Sequence, residues 1–126
     1  MADRILVADD EADMNSLLAF NLNRAGFSVT TAYDGAEAFE KARMFLPDAI
    51  VLDVRMPGLD GLSVCRQLHE LPATRDIPVL IITGEGNEGT RSESTRCGAA
   101  DYLPKPFSPR ELVRRVQAAL LAGQNQ

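Results

Sequence analysis

Short apolar runs alternate with amphipathic stretches along the whole chain. Ile5-Leu6-Val7-Ala8, Ala49-Ile50-Val51-Leu52 and Val79-Leu80-Ile81-Ile82 are apolar throughout, the pattern of strands covered on both faces. Residues 27–31 and 99–103 supply a second strand and a short fifth one. Between the first two strands, Met14, Leu17, Leu18 and Leu22 follow the 3.6-residue period and predict a helix with these side chains inward. Gly26 suits its C-terminal stop. Asp34 with Glu37 three residues on predicts a capping box. The helix it opens carries Ala38, Phe39, Ala42 and Phe45 and stops before Pro47. A loop over 56–61 leads to a third helix with Val64, Cys65, Leu68 and Leu71 in register. The last helix has Ser108 as cap, Pro109 in the first position and Glu111 completing the box. Its apolar side is Leu112, Val113, Val116 and Leu120. Residues 85–96 offer almost no apolar side chain and contain Gly86 and Gly89, so the fourth helical segment is marginal.

Strands alternating with helices predict an α/β fold, a doubly wound five-stranded parallel sheet with five helices on its two faces. At 126 residues and 45% hydrophobic, the chain reads as one domain over 1–126, with a core of about 3–122.

In such a sheet a site forms beyond the carboxyl ends of the strands, where strand order reverses. Asp9, Asp10 and Glu11 follow the first strand. Asp53 ends the third, Thr83 the fourth, and Lys105 and Pro106 follow the fifth. Three clustered carboxylates repel one another and resist ionising together. A divalent cation and a lysine relieve that, and carboxylate oxygens with open water positions suit Mg²⁺. The remaining carboxylate is then a nucleophile able to form an aspartyl phosphate. Lys105 neutralises the transferring phosphoryl group and the Thr83 hydroxyl donates a hydrogen bond to it. Each residue alone is ordinary: a strand-end Asp usually makes a turn, and a strand-end Thr usually reflects β-propensity. Their joint placement after strands one, three, four and five carries the reading.

Composition narrows the alternatives. A net charge of −5 argues against nucleic-acid binding, and Arg110, Arg114 and Arg115 read as a solvated helical stripe. No apolar run approaches the roughly 18 residues of a membrane span, and the N-terminus lacks signal-peptide features, so a cytoplasmic protein is expected. The two cysteines, Cys65 and Cys97, form no CxxC pair and only one histidine exists; they read as structural thiols rather than a zinc site or a disulfide. His69 beside Glu70 reads as a solvated surface residue. Residues 84–89 fit G-x-G-x-x-G, but the segment after them is polar and the next strand arrives too soon for a dinucleotide fold. An FMN carrier is disfavoured by the acidic loop after strand one.

As a set these residues resemble the receiver domains of bacterial response regulators, the CheY-like family. The likeness spans residue 4 to about 121. It rests on Ile5-Leu6-Val7-Ala8-Asp9-Asp10-Glu11, Ile50-Val51-Leu52-Asp53-Val54-Arg55-Met56-Pro57-Gly58-Leu59-Asp60-Gly61, Ile82-Thr83-Gly84 and Gly98-Ala99-Ala100-Asp101-Tyr102-Leu103-Pro104-Lys105-Pro106-Phe107. The resemblance implies strand order 2-1-3-4-5. It implies that Asp53 accepts a phosphoryl group from a sensor histidine kinase or a histidine phosphotransfer protein. Asp9, Asp10, Asp53 and the backbone carbonyl of Arg55 would hold Mg²⁺. Thr83 and Lys105 would contact the phosphoryl group, Tyr102 would change rotamer with Thr83, and the Lys105–Pro106 peptide would be cis. The face made by helix four, strand five and helix five would then change its preference for a downstream protein, a fused output domain or a second copy of the chain. On this reading the protein is not an enzyme with a separate substrate; it catalyses only its own phosphorylation and dephosphorylation. The alternative within the fold is a degenerate receiver, a binding module independent of phosphorylation. Two departures from the family pattern stand out. The polar fourth helical segment is expected to be unusually mobile. Arg55 and Glu85, each two residues past a site residue, either pair across the mouth and slow hydrolysis or stand as two exposed charges that contribute little.

Overall fold

The three wholly apolar runs form the middle of the sheet. The computed structural model describes residues 2–84, 92 and 96–124. Its strands are β1 (Arg4–Ala8), β2 (Ser28–Ala32), β3 (Ala49–Asp53), β4 (Val79–Thr83) and β5 (Asp101–Pro104). Its helices are α1 (Ala12–Arg24), α2 (Gly35–Phe45), α3 (Gly61–Glu70) and α4 (Pro109–Gln124). The order is β2-β1-β3-β4-β5 and every pairing is parallel. The expected α/β architecture and strand order are therefore present, with four helices among the described residues. The marginal fourth helical segment, its expected mobility and Glu85 fall mainly on residues outside those described.

Side chains alternate between faces with the two-residue period of a strand, and this splits each apolar run between two cores. Leu6, Ala8, Ile50, Leu52 and Ile81 pack with Ala38, Ala42, Val64 and Leu68 of α2 and α3. Ile5, Val7, Val51, Leu80 and Ile82 pack with Leu18, Leu22, Leu112 and Val116 of α1 and α4. β2, at the edge, is covered unevenly and alternates exposed and half-buried positions.

Local signals mostly hold. Asp34 Oδ1 accepts from Glu37 N at 2.7 Å, and Glu37 Oε1 accepts from Tyr33 N at 2.7 Å. Ser108 Oγ accepts from Glu111 N at 3.1 Å, but the Glu111 carboxylate turns to Arg115 and Arg114 instead of closing the box. Two inward placements do not hold: Leu17 is 52% exposed and Phe45 46%. The stripe of α1 that meets the sheet is the narrow one through Leu18 and Leu22, and Leu17 sits about 100° around from Leu18. α2 lies against the sheet through Ala38 and Ala42, leaving Phe45 in the last turn. β5 starts two residues later than expected. Ala100 N still donates to Val79 O at 2.8 Å, but the regular ladder begins with Leu80 opposite Asp101.

Candidate functional site

The register delivers the polar residues together. Ala8 pairs with Leu52, so Asp9 and Asp53 leave the ladder side by side. Asp53 pairs with Ile82 and Thr83 with Pro104, so Thr83 and Lys105 follow on the next strands. Lys105 N extends the ladder by donating to Thr83 O at 2.8 Å. The Lys105–Pro106 peptide is cis.

Asp9 is fully buried. Its Oδ1 accepts from Glu11 N at 2.9 Å, while Oδ2 has no hydrogen-bond partner. Lys105 Nζ stands 3.7 Å from that oxygen, near enough for charge attraction and too far for a hydrogen bond. Burial pushes the Asp9 carboxyl up to about 6; the Glu11 N–H opposes this, Asp53 adds to it and Lys105 opposes it. Asp53 is 7% exposed. Its Oδ1 accepts from Arg55 N at 3.2 Å and its Oδ2 from Lys105 Nζ at 3.1 Å. Asp10 is exposed, and Asp9, Asp10 and Asp53 offer carboxylate oxygens all within 4.8 Å of one another. Thr83 is buried at the adjacent strand end.

The structure thus brings Asp9, Asp10, Asp53, Thr83 and Lys105 to one sheet edge. Arg55 joins them through its backbone N–H. Its candidate partner Glu85 lies outside the described residues, as does any contact between the two. Tyr102 stands apart, half-buried against the core under α2 and α3. Its carbonyl accepts from Arg115 Nη1 at 3.1 Å, and the same guanidinium reaches Asp101 Oδ1 at 3.0 Å.

Sequence reasoning passed over Asn15. It is fully buried on the same side of α1 as Leu18 and Leu22. Its Nδ2 donates to Asp9 O at 3.0 Å and Ala32 O at 2.7 Å, tying the acidic loop to β2. The available signal was a polar residue on an apolar helical stripe. Gly61 was also missed as a site support: a Cβ there would lie 2.1 Å from Asp53 O. Only glycine lets α3 start so close to the end of β3. Asp60 caps that start, its Oδ1 accepting from Ser63 N at 2.8 Å. The donors and acceptors together make a buried, acid-rich strand-end cluster with a single ammonium at its centre. Such an arrangement suits hard-cation binding and acyl-phosphate chemistry.

Comparison with known proteins agrees with the architecture. The sequence profile described as "Response regulator receiver domain" matches residues 5–117. The alkaline phosphatase synthesis transcriptional regulatory protein PhoP of Bacillus subtilis (strain 168) is 47% identical over 120 residues, covering 95% of this chain and 49% of that protein. Among solved structures, chemotaxis protein CheY4 of Vibrio cholerae superposes with a TM-score of 0.90 at 30% identity, covering 94% of this chain and 99% of that one. The signal receiver domain of a signal transduction histidine kinase from Syntrophus aciditrophicus superposes with a TM-score of 0.89 at 31% identity, covering 96% and 92%. The chain spans about half the length of the curated relatives it matches. With the 2-1-3-4-5 sheet, the acidic strand ends and the matched span in agreement, the chain belongs to the response regulator receiver domain family of two-component systems.

Proposed function

We propose that the chain is a phosphorylation-activated switch of a two-component phosphorelay, with Asp53 as phosphoacceptor. The observation that supports this most is Lys105 Nζ at 3.1 Å from Asp53 Oδ2, beside the buried, unpartnered Oδ2 of Asp9. A carboxylate oxygen of Asp53 attacks the phosphorus of a phosphohistidine on a sensor histidine kinase or histidine phosphotransfer protein. The new P–O bond forms as the P–N bond breaks, and the electron pair of that bond returns to the imidazole nitrogen. Lys105 offsets charge on the phosphoryl oxygens, and the Thr83 hydroxyl donates to one of them. The acceptor is held still by the Arg55 N–H on Oδ1.

The cluster fits Mg²⁺. Its ligands are hard carboxylate oxygens, and Asp9 Oδ2 is buried without a donor, a position that otherwise costs stability. Asp9, Asp10 and Asp53 with the backbone carbonyl of Arg55 are the residues that would hold it. When bound, the ion neutralises carboxylate and phosphoryl charge.

Phosphorylation then draws Thr83 inward and Tyr102 follows, shifting the population of the face made by β5, α4 and the segment between β4 and β5. The Arg115 contacts to Asp101, the Tyr102 carbonyl and Glu111 lie on this face and would feel that shift. Its partner is a downstream protein, an output domain fused in a longer chain, or a second copy of the receiver. Asp53 phosphorylation and dephosphorylation are the only reactions catalysed. The reading places the protein in the cytoplasm, without direct nucleic-acid binding by this chain; no helix among the described residues is long and apolar enough to cross a membrane.

The test is intact mass after incubation with Mg²⁺ and a small acyl phosphate. One added phosphoryl group is expected, absent from Asp53→Asn and absent with chelator. An unmodified wild type that also fails to bind beryllofluoride would favour the phosphorylation-independent module.

A further inference from the structure

Away from the phosphoryl site, two buried thiols face one another. Cys65 lies on the inner side of α3 with no exposed surface, and Cys97 lies in the turn before β5, 2% exposed. Both are free. They are 32 residues apart in sequence, yet Cys65 Sγ donates to the carbonyl oxygen of Cys97 at 3.4 Å. The turn is pressed onto the helix. His69, one helical turn after Cys65, places Nδ1 2.9 Å from Cys65 O and 3.8 Å from Cys65 Sγ. Its ring lies so close over Gly98 that a Cβ there would come within 2.8 Å. His69 is therefore a packed residue and not the solvated one its sequence context suggests.

The two thiols differ chemically. The neighbouring Cys65 thiol favours the Cys97 thiolate and holds its pKa below the usual thiol range, against the opposing effect of burial. The nearby Cys97, with burial, pushes Cys65 up. Cys97 is buried between the exposed Arg96 and Gly98, so a small oxidant would reach it by an opening of that turn. Cys97 is thus suited to react first and Cys65 to resolve.

We propose that Cys65 and Cys97 form an oxidisable dithiol that hydrogen peroxide converts to an intramolecular disulfide and a thiol reductant restores. The Cys97 thiolate attacks one peroxide oxygen and the O–O bond breaks. The departing hydroxide takes a proton and leaves as water, and Cys97 carries a sulfenic acid. Cys65 sulfur then attacks Cys97 sulfur; the S–S bond forms as the S–O bond breaks. The released hydroxide takes the Cys65 proton and leaves as a second water. The two thiols lose two electrons and the peroxide gains them. Because Cys65 Sγ already lies 3.4 Å from the Cys97 carbonyl oxygen, the resolving thiol stands beside Cys97 and the second step outcompetes further oxidation. The bond ties α3, which begins against Asp53 at Gly61, to the turn leading into the strand before Lys105.

The full chain, treated with hydrogen peroxide and then quenched, is denatured and alkylated without reductant. The expected product is a monomer lighter by two hydrogens, with both thiols blocked to alkylation and both recovered after dithiothreitol. Cys65→Ser should instead accumulate oxygen adducts on Cys97, and Cys97→Ser should react far more slowly. Should either serine variant fail to fold, the wild-type product still decides. Two alkylatable thiols after treatment, sulfinic acid on wild-type Cys97, or a disulfide-linked dimer would each overturn the proposal.

Discussion

Replacing Asp9 by asparagine should stabilise the cation-free protein at neutral pH. The Asp9 carboxyl titrates near 6 in the fold against a reference of 3.8. Between those values the folded state holds a proton that the unfolded chain has released. Stability therefore falls as pH rises from about 4 to about 6 and stays lowered above that range. Each pKa unit corresponds to roughly 1.4 kcal/mol, so the full effect is about 3 kcal/mol at pH 7.5. Asparagine escapes this cost, but buries an amide N–H₂ in place of an oxygen, which takes back about 1 kcal/mol or more. The net expectation is a gain of about 1–2 kcal/mol for Asp9→Asn in chelator at pH 7.5, turning into a loss of about 1 kcal/mol or more below pH 4. Urea unfolding of both proteins from pH 4 to 8, with chelator and with excess Mg²⁺, measures it. Mg²⁺ should stabilise the wild type more than the variant and close or reverse the gap. A variant less stable than wild type in chelator at pH 7.5, or a difference that does not change with pH, would refute the argument from Asp9 burial.

Other substitutions test the supports of the site. Gly61→Ala drives a methyl group to 2.1 Å from Asp53 O; it should lower stability by about 3 kcal/mol or more in urea unfolding, since backbone at both sides leaves little room to relax. Asn15→Leu removes two hydrogen bonds to the carbonyls of Asp9 and Ala32; a loss of about 1–3 kcal/mol is expected, with weaker Mg²⁺ binding by titration calorimetry. Lys105→Ala should leave the fold intact and slow phosphorylation by small acyl phosphates by about 100-fold, measured by intact mass over time. Arg115→Ala should change stability by less than about 1 kcal/mol, because its ion pairs are about a third exposed.

The sheet was legible because its central strands need apolar residues on both faces, and Ile5 to Ala8, Ala49 to Leu52 and Val79 to Ile82 have nothing else. The site was legible because its residues immediately follow those strands, where position in sequence becomes position in space. What escaped depends on packing between elements. Leu17 and Phe45 are apolar and periodic, but how wide a helical stripe is covered depends on the neighbouring helices and not on the stripe. Asn15 and Gly61 matter through carbonyls that only the folded chain brings near. His69 looked solvated beside Glu70, and only the turn at Gly98, far along the sequence, covers it.

The order of the strands also sets one side of the site at the edge of the sheet. Asp53 ends β3, which is paired on both sides and covered on both faces. Thr83 ends β4, one strand further out. Lys105 follows β5, which among the described residues is paired on one side only and has a single buried residue, Leu103. The carboxylate proposed to react thus ends a strand paired and covered on both sides, as is the strand of Thr83, while Lys105 alone follows an edge strand. On the proposed reading, a change at Asp53 would therefore be passed most readily to Lys105 and β5, at the edge of the sheet, where the fewest strand pairings oppose it.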